Sequence, residues 1–234
     1  PSARFYINNG RIGSVFSSYY FRASIMNPYL VYSLNKTVLR GTRVFTPTLG
    51  WSSYCYGFLE CPDVEEYVGT DVIPSVCDKT RDLARLYSRR PTVDIRCKPS
   101  EDLYTDPRFL KKYREHFDLV FFSPPYYKLE LYDSENQSTS RYEDYSAWLE
   151  NYWEQTIRLA SIVLEKGGRL CYILSGYGAP SGSDHYNLLD DMNMITKKYF
   201  ILNSTQVMHN KNVHVSTHRD TDERIMIFTK KRNI

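Results

Sequence analysis

Four consecutive residues, Ser123-Pro124-Pro125-Tyr126, carry the sharpest chemical signal in the sequence. Two successive prolines have a fixed φ and donate no N–H, so their carbonyls are rigid and free to accept hydrogen bonds. A serine oxygen, a fixed carbonyl and an aromatic ring together suit one problem in particular, an exocyclic amino group on cytosine or adenine. The lone pair of such a nitrogen is delocalised into the ring, which makes it a poor nucleophile. Hydrogen bonds accepted from both of its N–H groups, by the Ser123 side chain and the Pro124 carbonyl, favour a more tetrahedral nitrogen with an available pair. Tyr126 would stack on the base once it leaves a duplex. A proline-stiffened structural loop is the alternative reading.

A second set of residues suits a nucleoside-containing cofactor. Thr46-Pro47-Thr48-Leu49-Gly50-Trp51-Ser52-Ser53 places a glycine before small residues, which lets backbone approach a ligand closely at a helix start. Asp71 follows Gly50 by 21 residues, near the interval at which a ribose-binding carboxylate follows a glycine turn. Lys98-Pro99-Ser100-Glu101-Asp102 offers polar groups for an adenine rim, or only a helix cap.

These groups work together only if the fold brings them to one edge. Short β-rich runs alternate with helical stretches from residue 43 onward. The strands expected are Arg43–Thr46, Glu66–Val72, Thr92–Cys97, the nearly all-apolar Phe117–Phe122, and Arg169–Leu174. Leu202–Met208 and Arg224–Thr229 read as an antiparallel closing pair. Helical patterns fall at Ser75–Ser88, Pro107–His116, Tyr142–Glu165 and His185–Lys198, with Lys166-Gly167-Gly168 as the stop of the longest. This order predicts an α/β fold: a mostly parallel sheet with helices on both faces. Ligands of such sheets bind beyond the carboxyl ends of the strands, where the residues named above lie.

With that placement, Ser123–Tyr126 resembles motif IV of the S-adenosylmethionine-dependent amino-methyltransferases that act on DNA bases. Thr46–Ser53 is similar to their cofactor loop, and Asp71 to the acid that binds the ribose hydroxyls. Phe21-Arg22-Ala23-Ser24-Ile25-Met26-Asn27-Pro28 resembles the motif that packs beside the methionine end. The resemblance implies a Rossmann-like methyltransferase fold with S-adenosyl-L-methionine as cofactor. It also implies cofactor contacts from Phe21, Asn27, Thr46, Pro47, Leu49, Gly50, Trp51, Asp71, Val72, Ser100 and Asp102. Ser123, Pro124, Pro125 and Tyr126 become the catalytic group, and their serine form is more typical of cytosine-N4 than of adenine-N6 enzymes. The cofactor loop departs from the family pattern, which commonly starts with an acid where Thr46 stands and has a small residue where Trp51 and Ser52 stand. A catalytically silent scaffold or nucleic-acid-binding subunit is therefore the rival reading. Methylation of RNA or of a protein amide is another.

The charge pattern points to a polyanionic partner. The formal charge is only +3, yet residues 1–59 hold six basic residues (Arg4, Arg11, Arg22, Lys36, Arg40, Arg43) and no acid. Basic ends around an acidic middle would present an anion-attracting face. Tyr127, Gln137, Lys211 and Arg219 are expected to touch nucleic acid, DNA ahead of RNA. Gln137 lies in the polar run 133–141 and could read a base edge. With no sizeable recognition domain, the target is read either by the polar loops 133–141 and 175–184 or by a further domain or subunit. His209, His214 and His218 lack a cysteine partner nearby, so no metal site is expected. Five cysteines without a CxxC pair suit reduced thiols. No apolar run spans a membrane and no signal peptide is evident, which predicts an intracellular protein of unspecified compartment. Residues 1–42 read as a basic segment with a helix and 43–234 as the catalytic core. The start at Pro1 suggests a piece cut from a longer protein.

Overall fold

Strand β4 (Phe117–Phe122) is the axis of the molecule, and Leu119, Val120, Phe121 and Phe122 are all fully buried. Successive strand residues point to opposite faces, so unbroken burial means that both faces of the sheet are covered. The computed structural model describes residues 25–87, 91–128, 134–175, 186–208 and 223–231, together with the single residue Asn8. Among them, β1 (Arg43–Thr46), β2 (Glu66–Asp71), β3 (Thr92–Cys97), β4, β5 (Leu164–Leu174), β6 (Phe200–Val207) and β7 (Arg224–Lys230) form one seven-stranded sheet in the order β3-β2-β1-β4-β5-β7-β6. β1 to β5 run parallel, and β7 lies antiparallel between β5 and β6. This is the expected Rossmann-like arrangement with its closing pair.

Strand order reverses between β1 and β4, which are hydrogen-bonded neighbours at the centre. The chain leaves them in opposite directions, which opens a crevice at their carboxyl ends. Asp118 fixes the other end of this pair: its carboxylate accepts from Thr42 N at 2.9 Å and Arg43 N at 3.2 Å, tying the start of β1 to β4.

Helices are α1 (Pro28–Leu34), which continues as a π-type turn at Asn35–Leu39, α2 (Ser53–Leu59), α3 (Pro74–Leu86), α4 (Ser100–Leu103), α5 (Pro107–Tyr113), α6 (Ser138–Arg141), α7 (Tyr145–Trp148), α8 (Gln155–Val163) and α9 (Leu188–Tyr199). A π-type stretch, Leu149–Glu154, joins α7 to α8. Proline at the first turn and a side-chain cap start two of them. Asp106 accepts from Arg108 N and Phe109 N ahead of α5, and Asn27 accepts from Tyr29 N ahead of α1.

The long helix ends earlier than expected. α8 stops at Val163, and Lys166-Gly167-Gly168 lies inside β5 rather than after the helix. Phe117 pairs with Leu164 and Leu119 with Arg169, so residues 165–168 form a bulge for which Gly167 takes φ +81°. Val31, Leu34 and Leu39 share one continuous core with the sheet, so the helix of the 1–42 segment packs as part of the core. Gly57 makes this possible. A Cβ there would lie 2.6 Å from the Pro28 carbonyl oxygen and 2.6 Å from Val31 Cβ, so only glycine lets α1 lie against α2.

Gly57→Ala should therefore destabilise the fold by about 1–3 kcal/mol, the usual cost of overpacking. Urea unfolding of the two proteins measures it. An unchanged midpoint would mean that α1 shifts at no cost.

Candidate functional site

The cavity at the switch point has a volume of about 640 Å³ and is lined from both sides of the sheet centre. That volume lies in the range of small-molecule and cofactor sites.

One side begins with the turn after β1. Gly50, Trp51 and Ser52 have φ of +52°, +57° and +70°, three left-handed residues in succession. For the two non-glycine residues this costs roughly 1–2 kcal/mol each. Neighbouring bonds hold the turn. Ser52 Oγ lies 2.7 Å from Thr80 Oγ1, and Ser53 N donates to the Gly50 carbonyl at 3.1 Å. At the next strand end, Asp71 Oδ2 accepts from Leu49 N at 3.1 Å, while Oδ1 accepts from Val72 N at 2.8 Å and Ile73 N at 3.1 Å. A carboxylate has about four lone-pair sites, so capacity remains for a ligand hydroxyl. Burial raises the Asp71 pKa, and the three backbone N–H groups pull it back.

On the other side, β4 delivers Ser123, Pro124, Pro125 and Tyr126 to the same cavity. Ser123 Oγ donates to the Ile173 carbonyl of β5 at 3.0 Å. Its proton is thereby committed, and its lone pairs remain to accept. Tyr126 OH accepts from Ser175 N at 2.9 Å, which anchors the ring to the end of β5.

Tyr54 links the two sides, and sequence reasoning does not single it out. It sits in the first turn of α2, its OH accepts from Ser123 N at 3.2 Å, and its ring meets Phe121 edge-on at 5.4 Å. A Cβ on Gly50 would approach the Tyr54 ring to 2.3 Å. The available signal was an aromatic residue one helical turn beyond the glycine.

Glu101, expected only as one of the polar groups in the run 98–102, has a more particular place. It is buried, lines the cavity and pairs with Arg141 at 2.8 Å. Burial pushes its carboxyl up to about 7, and the Arg141 charge offsets only part of this.

Of the expected cofactor residues, Asn27, Pro47, Gly50, Trp51, Asp71, Val72 and Ser100 line the cavity. Three do not. Thr46 is fully buried with Oγ1 2.6 Å from Tyr67 OH, Leu49 is fully buried and acts through its N–H on Asp71, and Asp102 faces Arg141 at 2.7 Å. Tyr127, expected at the nucleic acid, is instead packed among Tyr145, Trp148 and Tyr186 with its OH donated to the Glu143 carbonyl, so it is structural. Gln137 lines the cavity and donates from Nε2 to Ser140 Oγ at 2.9 Å. Phe21, Lys211, Arg219, His209, His214 and His218 lie outside the described residues. No helix among the described residues is long and apolar enough to cross a membrane.

The donor set fits S-adenosylmethionine. A strand-end carboxylate with spare capacity stands beside the apolar side chains of Val72 and Ile73, and Gly50 and Asn27 line the same cavity.

Comparison with known proteins agrees. The sequence model of a family described as DNA methylase matches residues 117–234. No curated protein matches the sequence. Among solved structures, the chain is similar to a methyltransferase from Pyrococcus furiosus, with 17% identity, a TM-score of 0.54, and 98% of this chain and 97% of that one covered. It is also similar to the N-methyltransferase NodS from Bradyrhizobium japonicum WM9 in complex with S-adenosyl-L-homocysteine, with 13% identity, a TM-score of 0.52, and 86% and 83% covered. TrmN from Thermus thermophilus gives 17% identity and a TM-score of 0.57 over 87% of this chain and 49% of that one. At these identities the likeness is one of fold.

Two outcomes follow from the carboxylates. In Asp71→Asn an amide donor must face a backbone N–H whichever way it turns, because both oxygens accept from backbone. The loss should be about 1–3 kcal/mol in urea unfolding, and a neutral result would mean that these bonds are not made. Glu101 favours protonation in the fold, so its contribution is complete below pH about 4.5 and is lost as pH rises through about 7. Wild type should therefore lose of the order of 3 kcal/mol relative to Glu101→Gln between those limits, read from urea unfolding across the range. A pH-independent difference would show an ordinary exposed acid.

Proposed function

Because the chain belongs to the DNA methylase family, we propose that it transfers a methyl group from S-adenosylmethionine to an exocyclic amino group of a DNA base, cytosine N4 ahead of adenine N6. The observation that carries this reading is the Ser123 hydroxyl, whose proton is already given to the Ile173 carbonyl. An amino nitrogen delivered beside it meets acceptors, Ser123 Oγ and the Pro124 carbonyl, while both prolines bring no N–H to compete for its lone pair.

Bound in the cavity, S-adenosylmethionine supplies an electrophilic methyl group on a sulfonium centre. Asp71 would accept from the ribose hydroxyls, with Val72 and Ile73 beside the nucleoside, and Gly50 would let the loop backbone approach. Tyr126, fixed by the Ser175 N–H, would present its ring to an extruded base. Hydrogen bonds from both amino protons to Ser123 and Pro124 draw the nitrogen toward a tetrahedral form. Once the new bond forms the nitrogen is cationic and its proton acidic, so water suffices to remove it. Catalysis is then mainly the alignment of nitrogen, methyl and leaving sulfur. The partner is nucleic acid, held through phosphates by the basic ends of the chain, with the target sequence read either by the polar loops 133–141 and 175–184 or by a further domain or subunit.

The test is Ser123→Ala, assayed by transfer of labelled methyl to DNA and by calorimetric titration with S-adenosylhomocysteine. Transfer should fall at least about tenfold, one hydrogen bond lost from the transition state, with cofactor affinity unchanged. A variant that transfers normally, or that loses cofactor instead, would remove Ser123 from the chemistry.

A further inference from the structure

Helix α6 is a single turn, yet it is fastened on three sides. Arg141 Nη1 meets Glu101 Oε1 at 2.8 Å and Nη2 meets Asp102 Oδ1 at 2.7 Å. Trp148 Nε1 donates to Ser138 Oγ at 2.9 Å, and just ahead of the helix Ser134 Oγ donates to the Val72 carbonyl at 3.3 Å. The Glu101 side chain is 4% exposed and that of Arg141 25%, so this pair is largely withdrawn from water. Each arm of the guanidinium has its own carboxylate, a geometry a lysine cannot match.

What is fastened is a wall of the cavity. Asn136, Gln137, Ser138 and Thr139 line it, together with Asp71, Val72 and Ser100 from the ends of β2 and β3. Arg141 itself is not part of the lining. Carboxyl-end loops of β2 and β3 are where the nucleoside belongs if the cofactor reading above holds, and the present inference rests on that reading.

We propose that Arg141 is a positioning residue for cofactor binding: by clamping α6 to α4 it holds residues 136–139 closed over the nucleoside end of the site. The role is separate from the chemistry, because Ser123 and Tyr126 are held from β5. Loss of the clamp leaves the methyl-transfer apparatus in place and lowers only the fraction of time the wall is closed. If that fraction drops to about a tenth, the apparent dissociation constant for cofactor rises about tenfold.

The experiment compares wild type, Arg141→Gln and Arg141→Lys at pH 8, where Glu101 is ionised. S-adenosylhomocysteine binding is followed by calorimetry and by intrinsic tryptophan fluorescence, and steady-state methyl transfer to DNA is measured alongside. Expected are a cofactor KM and Kd raised about tenfold in Arg141→Gln, an unchanged kcat at saturating cofactor, and partial recovery in Arg141→Lys, which keeps one arm. If Arg141→Gln does not fold, Asp102→Asn removes one arm only and should show a smaller shift of the same kind. Unchanged cofactor affinity in a folded variant, or a rise confined to the KM for DNA, overturns the proposal. A wild-type chain that binds no S-adenosylhomocysteine overturns the cofactor reading and the proposal together, and so is told apart from failure of the proposal alone.

Discussion

The Asp71 carboxylate holds one side of the cavity together. With one oxygen it holds Leu49 N of the turn after β1, and with the other Val72 N and Ile73 N after β2. Two loops, joined by a bond between residues 22 apart in the chain, become one surface. The left-handed run Gly50-Trp51-Ser52 is tolerable because these bonds and the Ser52–Thr80 contact oppose its strain. The desolvation cost of the carboxylate is offset in part by the same three N–H groups. One group thus sets the loop shape and offers its remaining lone pairs to a ligand.

The second constraint is the switch in strand order between β1 and β4. It separates the loops that follow them and leaves a crevice, but an open crevice does not align two reactants. Tyr54 supplies that link, holding the Ser123 N–H from the helix that starts beside Gly50. The ring fits only because Gly50 has no Cβ. The turn after β1 and the tetrapeptide Ser123–Tyr126 are therefore joined through one buried phenol. Thr46, where the family commonly has an acid, is taken up by Tyr67, so the departure from the family pattern is absorbed into the core.

Much of this was legible in the sequence because the strands are short, apolar and separated by clear turn signals. The seven strands fall close to where periodicity puts them, and the tetrapeptide and Asp71 reach one cavity as expected. The misses share a physical origin. Gly167 and Gly168 look like a helix stop, but whether glycines end a helix or bulge a strand depends on pairing with β4, which the local sequence does not contain. Thr46, Leu49, Asp102 and Tyr127 stand beside residues that line the cavity, and neighbours in sequence point their side chains in different directions. Tyr54 was missed, and Glu101 was read only as one of a polar run, because their roles come from tertiary partners, Ser123 N and Arg141.

The reaction proposed for this site is methylation of an exocyclic amine. Mass spectrometry of nucleosides from DNA incubated with the protein and isotopically labelled S-adenosylmethionine tests it most directly. Labelled N4-methylcytosine is the expected product, with N6-methyladenine as the second permitted one. Label on a ring carbon such as C5 of cytosine, or no labelled nucleoside from a chain that binds the cofactor, would contradict it.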